Sequence, residues 1–64
     1  MNLKLKRISM KLTQAELREK ANVGLNTIVA LERGKIDGVR VGTLKKIAVA
    51  LDSTVVELFF TEEV

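Results

Sequence analysis

Residues 12–35 read LTQAELREKANVGLNTIVALERGK, and how this stretch divides into helices decides the fold. Thr13 stands three residues before Glu16, the spacing of a capping box. In that motif the hydroxyl accepts from the Glu16 backbone N–H while the Glu side chain reaches back to the Thr N–H. Leu12 and Leu17 occupy the positions of a hydrophobic staple around the cap. A helix over about 14–21 is therefore expected. Asn22-Val23-Gly24 reads as a tight break, and a second helix follows over about 25–33. Ile28 and Leu31 fall on one side of it at i, i+3, and Gly34 is placed to stop it in a left-handed conformation.

Working outward, residues 35–42 read as a loop that contains Gly38 and Gly42. Leu44, Ile47, Ala48 and Leu51 then recur at i, i+3, i+4, i+7, the cleanest amphipathic stripe in the chain. Thr54 and Glu57 repeat the capping-box spacing and open a last helix carrying Val55, Leu58 and Phe59. Towards the amino end, Leu3, Leu5, Ile8, Met10 and Leu12 give one mostly apolar side, with Lys4, Lys6, Arg7 and Lys11 between them. A strand fits this pattern in part, but a short helix ending near Met10 fits it better. The expectation is an all-α fold of five short helices, with residues 1–64 as one unit free of repeats or linkers.

Composition narrows the function. The 64 residues include no Cys, His or Pro, and 47% are hydrophobic with only two aromatic rings. Disulfides and the common zinc sites are excluded, and no cofactor or metal is expected. At this size roughly 60% of the unfolded surface can be buried, so stability should be modest. No apolar run reaches the ~18 residues of a membrane span, and no signal peptide is visible; a soluble cytoplasmic protein is the expectation. Without His, Cys or Tyr, and with carboxylates in caps or scattered over the surface, the chain does not read as an enzyme. The net charge of +3 is uneven: residues 1–20 carry +4, residues 21–40 carry +1 and residues 41–64 carry −2. A basic front and an acidic back suit a protein that presents one end to a polyanion. A merely well-solvated surface is the plainer reading of the same charges.

Residues 12–35 resemble the helix-turn-helix of the Cro/C1 (lambda-repressor-like) family of bacterial and phage regulators. The resemblance rests on the Thr-Gln start, Leu17, Val23, Ile28 and the closing Leu-Glu-Arg-Gly. IAVALDSTVVELF, residues 47–59, is similar to the last two helices of that family. The resemblance implies a compact five-helix DNA-binding domain with its helix-turn-helix at about 14–33. The family usually has Gly where this chain has Asn22, because the backbone there takes positive φ; Asn tolerates that conformation well. Arg18 departs further, since a small residue often stands there to let the helices approach. Its stem would have to lie along the contact with the guanidinium in solvent. Arg7 and Glu32 match a pair that bridges the first and third helices in many members.

The resemblance also implies a site. Phosphates would be held by Thr13 and Gln14 at one helix start, by Arg33 and Lys35 beyond the third helix, and by Arg40 in the loop. Bases would be met by Leu25, Asn26, Thr27, Val29 and Ala30. Asn26 can both donate to and accept from adenine, Thr27 can bond several groups, and the apolar positions suit thymine methyls. The leading expectation is a sequence-specific transcriptional regulator, a homodimer on a two-fold-symmetric operator of double-stranded DNA. An antitoxin-like or adaptor module that binds a protein partner is the alternative. For the dimer, Val56, Phe59 and Phe60 are the candidates, because a helix cannot bury two adjacent rings in one monomer core and the surplus leaves an apolar patch.

Overall fold

The computed structural model describes residues 2–60, which form helices α1 (Leu3–Ser9), α2 (Gln14–Ala21), α3 (Leu25–Glu32), α4 (Val41–Ala50) and α5 (Val55–Phe59). There is no strand among the described residues. The first four helices all end through a residue with positive φ: Lys11 (59°), Asn22 (56°), Gly34 (83°) and Asp52 (51°). Each turns the chain so that following N–H groups fold back onto the last helical carbonyls. After α3, Gly34 N–H donates to the Leu31 carbonyl at 3.0 Å and Lys35 N–H to that of Ala30 at 3.0 Å. After α4, Asp52 and Ser53 do the same to Val49 and Ala48 at 3.1 and 2.9 Å. Lys11 and Leu12 close α1 onto Ile8 and Arg7 at 2.9 and 3.2 Å. Asn22 and Val23 close α2 onto the Arg18 carbonyl at 2.9 and 3.4 Å.

The left-handed conformation of Asn22 and of Gly34 agrees with the sequence reading; Asp52 is of a type that tolerates it, and Lys11 carries no such signal in residue type. A side chain with Cβ is strained there, least so for Asn. Asn22→Gly is accordingly expected to be neutral or stabilising, and Asn22→Val to cost roughly 1–2 kcal/mol. Urea unfolding of the two variants beside the parent checks this, and an unchanged midpoint for Asn22→Val would contradict the turn.

At the starts of α2 and α5 the expected side-chain caps are in place. Thr13 Oγ1 accepts from the Glu16 N–H at 3.0 Å, and Thr13 N–H donates to Glu16 Oε1 at 2.9 Å, so the box at α2 is complete. Thr54 Oγ1 accepts from the Glu57 N–H at 3.1 Å and opens α5. The start of α4 differs from the expected loop over 35–42. The helix begins at Val41 with Arg40 as its N-cap and no side-chain cap bond, so Gly42 lies in its first turn. Nothing at position 40 signals a cap, and Gly42 mimics loop composition.

Helix α2 packs against both α3 and α4, α4 against α5, and α1 against α3 and α5. The core at their meeting point holds Leu3, Leu17, Ile28, Leu31, Ile47, Leu51 and Leu58, all essentially without solvent contact. The Asn2 N–H donates to the Leu58 carbonyl at 2.9 Å and fastens the start of α1 to α5. Arg18, the departure in α2, is half-exposed with Nη1 at 3.1 Å from Glu19 Oε1. Leu17 and Ala21 are the buried residues of α2.

The apolar side expected for the first segment does not survive as one face. Leu5 and Ile8 are 64% and 52% exposed. The inward positions of α1 are Leu3, Arg7 and Met10, spaced i, i+4, i+7. An arginine sits in the middle of that stripe, so hydrophobicity alone points to the wrong side. Phe59, a candidate for the dimer contact, is 5% exposed and belongs to the monomer core, whereas Phe60 and Val56 are 58% and 64% exposed. Positions 55, 58 and 59 share the inward face of α5 at i, i+3, i+4.

Candidate nucleic-acid interface

One carboxylate ties three helices together. Glu32 ends α3, where a negative charge meets the negative end of the helix dipole and needs a cation nearby. Arg7 of α1 supplies it in a fork: Nε lies 2.7 Å from Oε2 and Nη2 lies 3.1 Å from Oε1. The remaining guanidinium nitrogen, Nη1, donates to the Leu12 carbonyl at 2.7 Å, just before α2. Gln14, in the first turn of α2, donates from Nε2 to Glu32 Oε1 at 3.1 Å. The side chains of Arg7 and Glu32 are only 11% and 5% exposed. A bidentate, mostly buried pair of this kind is strong and directional. It sets the start of α2 beside the end of α3.

This geometry alters the reading of Gln14 as a phosphate ligand. Its amide nitrogen is turned inward to Glu32, and the side chain is partly buried. What α2 offers outward is backbone: the N–H groups of Gln14 and Ala15 have no partner among the described residues. The start of α3 is similar. Gly24 is its N-cap without a side-chain cap bond, and the Leu25 and Asn26 N–H groups have no partner among the described residues. Such N–H groups, at the positive end of a helix dipole, suit phosphate oxygens. Uncapped glycine at position 24 is the sequence feature that marks this second site.

Helix α3 divides along its length. Ile28 and Leu31 are fully buried. Leu25 and Asn26 are exposed, and Thr27, Val29 and Ala30 are half-buried. The eight residues span about 12 Å, so the outward side chains of the first turn lie roughly two turns from the basic end. At that end Arg33 is the exposed C-cap and Lys35 follows the Gly34 turn. Thr13 and Gln14 are brought to the same end by the Gln14–Glu32 bond. Arg40 is an exposed N-cap of α4 with no bond tying it to this group. The ion pairs among the described residues are Arg7–Glu32 and Arg18–Glu19, so the charges of Arg33, Lys35 and Arg40 are uncompensated by close carboxylates.

Two short helices joined across a left-handed Asn form a helix-turn-helix, and free N–H groups at each start with unpaired cations at the far end suit a polyanion. The family model described as Helix-turn-helix matches residues 3–58. The chain belongs to that family, in its Cro/C1 type, and has the lambda-repressor-like fold; its class is that of DNA-binding transcription regulators. Comparison with curated proteins and with solved structures gives no match. No helix among the described residues is long and apolar enough to cross a membrane.

Proposed function

We propose that residues 1–64 act as one sequence-specific DNA-binding unit, working in the cytoplasm as a homodimer on a two-fold-symmetric operator, with α3 in the major groove. The observation that carries this reading is the division of α3: its core side is fully buried while Asn26 and Leu25 stand in solvent at its first turn. Asn26 discriminates bases by donating and accepting together, and Leu25, Val29 and Ala30 favour thymine methyls. Thr27 stands beside them. Arg33, Lys35 and Arg40 hold phosphates with the N–H groups at the starts of α2 and α3, and fix register without reading sequence. Exposed Val56 and Phe60 supply the contact between copies. A two-fold pairing of this kind sets two α3 helices about 34 Å apart, in successive major grooves.

The test is titration of the parent, Asn26→Ala and Lys35→Ala against a duplex selected from a random pool and against its scrambled counterpart. Asn26→Ala is expected to lose about 1–3 kcal/mol on the selected duplex and little on the scrambled one. Lys35→Ala weakens both alike and flattens the salt dependence by about one unit. Two chains should bind each symmetric duplex. Equal losses on both duplexes for Asn26→Ala would mean that α3 does not read sequence there. Duplex binding without salt sensitivity would favour the alternative, a protein-binding module using the apolar side chains of the same face.

A further inference from the structure

A depression of about 530 Å3 lies between the end of α2 and the outer side of α4. Lys20 and Ala21 line it from α2, and Gly42, Lys45, Lys46 and Val49 from α4. On α4 these positions recur at i, i+3, i+4 and i+7, so they form one face. Val49 is 79% exposed, the highest value among the large apolar side chains described. Ala21 gives an apolar floor at 6% exposure. The space beside Gly42 is open, since a Cβ there would meet nothing within 4 Å. All three lysines are exposed and stand outside the ion pairs found among the described residues.

We propose that this groove docks an acidic segment of another protein, with an apolar side chain against Val49 and Ala21 and flanking carboxylates on Lys20, Lys45 and Lys46. The argument is complementarity of charge and polarity together. Three lysines without close carboxylates give the rim a positive potential that favours an acidic partner, while the wall between them is apolar. A nucleic-acid backbone satisfies the cations and leaves Val49 against a highly hydrated phosphate. A helix that sets a Leu or Phe among Asp and Glu satisfies both, because lysine stems pack on apolar surface while the ammonium groups reach outward. The groove is distinct from the face of α3 assigned to DNA, and α2 packs between the two helices that carry them. Docking here therefore leaves α3 available, as a regulator that contacts a second protein while on its operator requires.

The experiment selects displayed helical peptides of randomised sequence against the full chain, followed by affinity measurement and amide chemical-shift mapping of a synthetic winner. The enriched peptides should place an apolar residue among Asp and Glu. The shifts should centre on Lys20, Gly42 and Val49. Val49→Asn, and separately Lys45→Gln with Lys46→Gln, should weaken peptide binding at least tenfold, while duplex affinity falls far less and the salt slope of duplex binding stays unchanged. These side chains are exposed, so the variants are expected to stay folded, and circular dichroism verifies that each one does. Enrichment without acidic residues overturns the proposal, as do shifts centred on Val56 and Phe60. Loss of duplex affinity in step with peptide affinity makes the lysines phosphate contacts instead. Self-association of the parent that the Val49 variant abolishes makes the occupant a second copy. Either result refutes an acidic partner.

Discussion

Glu32→Ala is expected to cost the folded state about 3–5 kcal/mol, the penalty for leaving one member of a mostly buried ion pair alone. Total stabilities of small domains run to roughly 5–15 kcal/mol, so this single change brings a 64-residue chain close to unfolding. The physical reason is that Arg7 keeps its burial and loses its counter-charge, while Gln14 loses its acceptor. Arg7→Ala should cost a similar amount, because it strands a carboxylate that is 5% exposed at the negative end of α3. Each variant also loses a bond that the other keeps, Glu32→Ala the one from Gln14 and Arg7→Ala the one to the Leu12 carbonyl, so a double-mutant cycle should return a smaller coupling of about 0.5–3 kcal/mol. Urea denaturation of the parent, both single variants and the double variant measures all of this. Single losses below about 1 kcal/mol would place the pair among ordinary solvated charges.

Ile28→Ala is expected to cost about 2–5 kcal/mol, through lost transfer energy and the cavity left behind. Ile28 has no solvent exposure and sits in the core with Leu17, Leu31 and Ile47. Its neighbour Val29 is half-buried on the other side of the helix. Val29→Ala should cost under about 1 kcal/mol, in the range of sites away from the core. The contrast between adjacent positions is what matters. Thermal or urea unfolding that returned equal losses for the two would mean that α3 is rotated from the orientation described here.

The parts of this fold legible in the sequence are those set by local chemistry. Thr13 with Glu16, Thr54, Asn22 and Gly34 each act within four residues, through a cap bond or a positive φ, and residue type announces them. Position 42 misleads for the same reason, because glycine there looks like a loop while the helix is held by the burial of Leu44 and Ile47. What local chemistry does not reach is the direction in which a polar side chain is used. Arg7 occupies the inward stripe of α1, so Leu5 and Ile8 look like core residues until the partner on α3 is known. Gln14 is similar: its place at the start of α2 is legible, but the turn of its amide to Glu32 depends on a residue 18 positions away. For the pair of adjacent rings, sequence alone says that one must stay outside. The i, i+3, i+4 spacing of Val55, Leu58 and Phe59 favours Phe59, and the packing of α5 against α4 and α1 places it within.

The division of labour along α3 has a bearing on how such a protein diverges. Anchorage of the helix rests on Ile28, Leu31 and Glu32. Its exposed or half-exposed side chains, Leu25, Asn26, Val29 and Ala30, take little part in that anchorage. Substitutions at these outer positions stay within the small stability changes typical of surface sites, so they can accumulate without pushing the chain below the threshold it needs to remain folded. On the proposed reading of α3, a gene encoding this scaffold can thus drift among binding preferences through intermediates that stay folded. An engineer who randomises those four positions alone should recover libraries in which most members fold.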